Sequence, residues 1–266
     1  MQRRILIIDD HDDLATSLSE VFCAQGHEVT VLESRSAALA LGSIENFDLV
    51  ITDLDVKPGT PPAPQGATCL PDIPEPETDE HLKAFKFCAA KYRREGFNEE
   101  ELKGLVAVTL DQKLRFVDTA EFVRNIRENI QFELPSTLSL MDIVLEYLTK
   151  RVERLGVCNP EQTNLFVALD EAFVNAVKHG NKHDPDKLVR ITCDVSKDEA
   201  RFTIEDEGEG FDVNAIPDPL DPDNLFKTSG RGVLFIYNIM DEVVYNERGN
   251  RLTMIKKAPA KAPEPA

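Results

Sequence analysis

Glu171 and Asn175 stand four residues apart in an apolar-patterned segment. That spacing puts both side chains on one face of a helix, one turn apart. An asparagine carbonyl is a hard oxygen of the kind Mg²⁺ takes while keeping waters and phosphate oxygens in its shell. A carboxylate beside it can accept a proton from water or from a hydroxyl substrate. Further along, Asp206 is followed by Gly208 and Gly210. A carboxylate at a strand end can accept a hydrogen bond from the exocyclic amine of adenine, and the glycines let backbone approach the ring. Gly230-Arg231-Gly232 then precedes an apolar helical pattern. Free N–H groups and the dipole of a helix start make a phosphate cradle there, with Arg231 as an added cation. Each feature alone also occurs as a polar helix face or a tight turn.

A second set lies at the front. Asp9 and Asp10 follow the run Ile5-Leu6-Ile7-Ile8, and Asp53 follows Phe47–Thr52. Three carboxylates meeting at strand ends would repel one another unless a hard cation such as Mg²⁺ sat between them.

The elements that must position these groups follow from patterning. Ile5–Ile8 is an unbroken apolar run, as for a strand buried on both faces. Asp13–Gln25 has helical spacing, Glu28–Leu32 reads as a strand, Ser36–Ile44 as a helix and Phe47–Thr52 as a third strand. This β-α-β-α-β order predicts a parallel sheet, with ligands at the carboxyl ends of its strands. In the back half, Leu138–Leu155 is amphipathic, and a second helix runs from Pro160 to His179 with Phe166, Leu169, Phe173 and Val177 as its stripe. Two alternating strands follow, Val189–Val195 and Ala200–Glu205, and Val243–Asn246 with Arg251–Lys256 reads as a closing hairpin.

Composition divides the chain into residues 1–56, a Pro-rich linker or extended loop over 57–79 with seven of the sixteen prolines, a charged stretch 80–130, a globular unit 131–257 and an Ala/Pro-rich disordered tail 258–266. Within 80–130, helices are expected around Glu80–Arg94 and Thr119–Asn129, and Leu105–Val108 reads as a strand ending at Thr109. The net charge of −18 argues against nucleic acid as a direct partner. Apolar runs too short for a membrane span or a signal peptide predict a cytoplasmic chain with no membrane contact. None of the five cysteines forms a Cys-x-x-Cys pair, so reduced thiols without metal or redox use are expected.

The order helix-borne Asn, two strands, Asp-x-Gly-x-Gly, variable loop and Gly-x-Gly opening a helix resembles the GHKL ATP-binding fold, an α+β two-layer sandwich. The nearer likeness is to the anti-sigma-factor serine kinases. Asp170-Glu-Ala-Phe-Val-Asn-Ala-Val-Lys-His-Gly-Asn181 is similar to their N box, and Ser229-Gly-Arg-Gly-Val-Leu-Phe-Ile to their G2 region. The resemblance covers about 131–257. It implies ATP and Mg²⁺, with Asn175 on the metal and Glu171 as catalytic base. Asp206, Gly208 and Gly210 would lie at adenine, Gly230 and Gly232 at the phosphates, and Val213–Thr228 would form a lid. It further implies phosphorylation or sequestration of a regulatory protein of sigma-factor or anti-sigma-antagonist type, with a homodimer as one permitted assembly.

Ile-Leu-Ile-Ile-Asp-Asp with Asp-Leu-Val-Ile-Thr-Asp-Leu resembles the receiver domain of response regulators, a flavodoxin-like α/β fold, over about 56 residues. It implies Asp9 and Asp10 as metal ligands and Asp53 as phosphoacceptor in a phosphorelay. The likeness then departs. Thr109 is the one candidate for the family's fourth-strand hydroxyl, and no Lys-Pro pair follows it, so a truncated or rebuilt receiver is expected. Two other functions remain open: a non-catalytic binding module in which ATP orders the lid, and a histidine kinase, whose only candidate His between the two regions is His81.

Overall fold

The run Ile5–Ile8 lies in β1 (Arg4–Asp9), every residue of it at most 1% exposed. A strand so buried needs neighbours on both sides, and β2 (Glu28–Leu32) and β3 (Leu49–Val56) flank it in parallel. Helix α1 (Asp13–Ala24) follows β1, and a short helix α2 (Arg35–Ala40), capped by the Ser34 hydroxyl, follows β2. The computed structural model describes residues 2–11, 13–41, 43–57, 69–72, 81–89, 96–119, 126–213 and 231–259.

The front sheet is parallel for three strands only. The fourth, β4 (His81–Ala89), runs antiparallel to β3 and replaces the helix expected around Glu80–Arg94. The reason is a period of two. Phe85, Phe87 and Ala89 point into one core, while Leu82, Ala84 and Cys88 point to the other face. Lys86, on that second face, is buried and satisfied by Glu133 and the Leu70 carbonyl. His81 therefore opens a strand, where a histidine kinase needs its phosphoacceptor on a dimerisation helix.

Helix α3 (Glu99–Thr119) replaces the strand expected at Leu105–Val108. Leu102, Leu105, Val106 and Leu110 recur at three- and four-residue spacing and are all buried. Thr109 donates its hydroxyl to the Leu105 carbonyl at 2.8 Å, so it bonds back within the helix and stands at no strand end. Ile126–Pro135 is strand β5, parallel to β4, where the sequence pattern suggested a helix up to Asn129.

The back half follows its pattern closely. After a 3₁₀ turn come α4 (Met141–Arg154), α5 (Pro160–Thr163) and α6 (Leu165–Asn175), which continues into a π-turn over Ala176–Gly180. The expected single helix from Pro160 breaks at Asn164, whose φ of 54° is left-handed. Its buried stripe is Leu165, Ala168, Leu169, Ala172 and Phe173, while Phe166 is exposed. Strands β6 (Leu188–Val195) and β7 (Glu199–Asp206), helix α7 (Arg231–Ile239) and the hairpin β8 (Glu242–Tyr245)–β9 (Arg251–Lys257) complete the fold.

Among the described residues all nine strands join one sheet, ordered β2-β1-β3-β4-β5-β6-β7-β9-β8. One face carries a single apolar cluster shared by α1, α3, α4, α6 and α7. The opposite face of the front half packs against α2 and residues 69–72, the part of the Pro-rich stretch that is described. Gln131 fastens those residues by donating to the Asp72 carbonyl at 2.7 Å and accepting from its N–H. No described helix is long and apolar enough to cross a membrane.

Candidate nucleotide site

α6 lies against α7 on the cored face of the sheet, and the π-turn that continues it packs on β7. A cavity of about 600 Å³ opens there. Glu171 and Asn175 line it from α6, Lys178, His179 and Gly180 from the π-turn, Asp206 from the end of β7, Gly210 from the loop after it, and Gly232 from the first turn of α7. The helix, the strand end and the helix start singled out in the sequence thus meet around one space. Gly230 and the expected lid, beyond Val213, lie outside the described residues, as does the side chain of Arg231.

Asp206 is fixed by three hydrogen bonds. Its Oδ1 accepts from the Gly208 N–H at 2.7 Å, its N–H donates to the Asn250 carbonyl at 3.0 Å, and its own carbonyl accepts from Asn250 Nδ2 at 2.8 Å. Among the described residues Oδ2 has no hydrogen-bond partner, which leaves an acceptor at the cavity for an amine. Burial raises the Asp206 carboxyl above its ordinary value, partly offset by the Gly208 N–H. The neighbouring turn is held by Asn181, fully buried, which donates to Ser136 Oγ and the Leu188 carbonyl and accepts from the Glu207 N–H at 2.8 Å.

Two glycines lie close against carboxylates of the cavity. A Cβ on Gly180 would collide with the Asp206 carboxyl group, and one on Gly232 with the Glu171 carboxylate. Gly180 stands inside the quoted N-box stretch, but its role comes from a neighbour 26 residues away, as its clash with Asp206 shows. The sequence reading also missed the far wall. Gly210 (φ 78°) and Gly249 (φ 76°) let the loop after β7 and the β8–β9 turn lie against each other. Phe211 and Tyr245, with ring centroids 5.3 Å apart, add an aromatic wall to the cavity, and burial pushes the Tyr245 hydroxyl up to about 12. Only the Glu-Arg-Gly-Asn turn signal hinted at this side.

The front acids are arranged differently. Asp53 lies inside β3, in register with Asp9 at the end of β1. Asp9 accepts from the N–H groups of His11 and Ala15 at 3.0 and 2.8 Å, and Asp10 accepts from the Asp55 N–H. Burial raises both carboxyls. Asp53 pairs with Lys113 of α3, which is 5% exposed. A lysine from α3 thus sets its ammonium group against the β3 carboxylate. Carboxylate charge is met here by amides and an ammonium group, and no group of three or more His, Cys, Asp or Glu that could hold a metal occurs among the described residues.

Residues 134–256 match the family model for a histidine kinase-like ATPase domain. A serine-protein kinase RsbW of Staphylococcus epidermidis is 28% identical over 142 residues, covering 50% of this chain and 89% of the relative. The serine-protein kinase RsbW of Staphylococcus aureus strain JH9 is 27% identical over 135 residues, covering 48% and 85%. A crystal structure of the RsbU and RsbW domains of Rv1364c from Mycobacterium tuberculosis aligns with a TM-score of 0.34 at 14% identity, over 49% of this chain and 32% of that one. The C-terminal half of the chain thus contains a histidine kinase-like ATPase domain homologous to the RsbW serine-protein kinases.

Proposed function

We propose that the back half binds Mg²⁺-ATP and transfers its terminal phosphoryl group to a serine or threonine of a regulatory protein, of sigma-factor or anti-sigma-antagonist type. The observation that carries this reading is the convergence of Glu171, Asn175, Asp206 and Gly232 on one cavity. Adenine fits its inner end, where Asp206 Oδ2 can accept from the exocyclic amine beside Gly210 and the Phe211–Tyr245 wall. The phosphates then extend toward the start of α7, whose first-turn N–H groups and dipole favour anions. Asn175 offers one oxygen to Mg²⁺, which suits an ion that takes few protein ligands and fills its shell with phosphate oxygens and water. Bound Mg²⁺ would offset phosphate charge.

The work of this chain's own residues is to place and deprotonate. Glu171, on the turn of α6 before Asn175, accepts the hydroxyl proton of the incoming serine as its oxygen attacks phosphorus. Gly232 permits this by letting α7 pass against the Glu171 carboxylate.

The front of the chain, residues 1–56, reads in this proposal as an input segment, with Asp53 as the group that receives a phosphoryl and Lys113 as the cation that holds it. Their pairing in the structure is the support for that reading. Incubation with γ-labelled ATP and candidate regulatory proteins tests the kinase reading: labelled phosphoserine or phosphothreonine on a partner is expected. ATP-dependent partner capture with no label transferred would replace it with the non-catalytic binding module.

A further inference from the structure

Cys69 and Cys88 stand 19 residues apart in sequence with no motif linking them, yet the fold brings their sulfurs to 2.8 Å. That is inside ordinary non-bonded sulfur contact and close to the approach from which a disulfide forms. Cys88 sits on β4 in register with Glu133 of β5 and is 1% exposed. Cys69, 5% exposed, belongs to the short stretch laid on the sheet by Gln131 and by Lys86, which donates to the Leu70 carbonyl at 3.2 Å. Beside the pair, Glu133 Oε2 lies 3.9 Å from Cys88 Sγ and 3.4 Å from Lys86 Nζ.

We propose that Cys69 and Cys88 form a reversible disulfide under hydrogen peroxide, stapling residues 69–72 to the centre of the sheet. The less buried Cys69 reacts first. Its sulfur attacks one peroxide oxygen, the O–O bond breaks, and the departing oxygen takes the thiol proton and leaves as water. Cys88 sulfur then attacks the resulting sulfenic sulfur. The S–O bond breaks, and the hydroxyl leaves as a second water with the Cys88 proton, relayed by the Glu133 carboxylate. Two electrons pass from the two sulfurs to the peroxide, and two waters are formed. Contact with Cys69 and burial hold the Cys88 thiol well above its usual range, which fits its acting second. The inference stands apart from the kinase reading, since none of these residues lines the nucleotide cavity.

The full chain is exposed to graded hydrogen peroxide, denatured, alkylated, and read by intact mass and peptide mapping. Alkylatable thiols should fall from the five cysteines to three. A crosslinked peptide should join Cys69 to Cys88, and dithiothreitol should restore all five. Cys69→Ser and Cys88→Ser should each give no such crosslink, while a Cys23→Ser/Cys158→Ser chain should form it as the parent does. All five thiols persisting at peroxide levels that modify exposed Cys23, over-oxidation without a crosslink, or a crosslink involving Cys23 or Cys158 would each overturn the proposal.

Discussion

Replacing Gly180 by alanine adds one methyl group to the site and gives a sharp test of its geometry. Gly180 closes a helical turn and carries no left-handed strain. On propensity alone, alanine there should stabilise the fold by up to about 1 kcal/mol. The structure reverses that sign, because the new Cβ would overlap the Asp206 carboxyl group. Asp206 has a short side chain and is tied to Gly208 and Asn250, so it cannot swing aside without breaking the 2.7 Å bond from the Gly208 N–H. Overpacking of this kind costs about 1–3 kcal/mol. A displaced Asp206 would also forfeit the bond to the adenine amine that the proposed function assigns to it. Hydrogen bonds to charged groups contribute about 1.5–3 kcal/mol, so ATP should bind about ten- to a hundredfold more weakly. Calorimetric titration with Mg²⁺-ATP, run beside urea unfolding of the apo protein, separates the two effects. A Gly180→Ala variant that is as stable as the parent and binds ATP within twofold of it would refute the packing of the π-turn on Asp206, and with it the adenine end of the site.

Four further outcomes are expected. Asn175→Ala should lose the Mg²⁺-dependent part of ATP affinity, whereas Glu171→Gln should keep nucleotide binding and lose phosphotransfer by about 10²–10⁴-fold; equal transfer by the Glu171 variant and its parent removes it as the base. Asp206→Asn tests the buried charge: with its folded value raised above the ordinary 3.8, the group stabilises the fold below that value and loses this contribution as pH rises through its folded value. The variant should therefore match the parent in acid and exceed it in urea stability at neutral pH while binding ATP worse; a stability difference that does not vary with pH contradicts the assignment. Lys113→Met leaves Asp53 uncompensated in a half-buried position and should cost about 3 kcal/mol, with much of the loss recovered in Lys113→Met/Asp53→Asn; a neutral single variant in urea denaturation would show that the pair does not hold α3 to β3.

The back-half site was legible because its chemistry is coded locally. Glu171 and Asn175 share a helix face by spacing, and Asp206, Gly208 and Gly210 share a turn, so no long-range contact is needed to recognise either. What the local motifs do not show are contacts across the chain: Gly180 meets Asp206, Gly232, already placed at the phosphates by its motif, meets Glu171, and Gly249 meets Phe211. Between the halves, local pattern misled. The charged stretch around Glu80–Arg94 reads as a helix, and only the burial of Lys86 between Glu133 and the Leu70 carbonyl reveals a central strand. Leu105–Val108 is apolar enough for a strand, but Leu102 and Leu110 extend it to a helical stripe that the sheet selects.

By itself, the sequence determined the element types of both ends, the acidic charge and the order of groups that would surround a nucleotide, since these depend on residue type and on periods of two or 3.6. Tertiary structure alone decided that one sheet runs through both halves, that Lys113 meets Asp53, and that Cys69 meets Cys88. Strand pairing and helix docking minimise the exposed apolar area of the whole chain at once, and no window of neighbouring residues contains that sum.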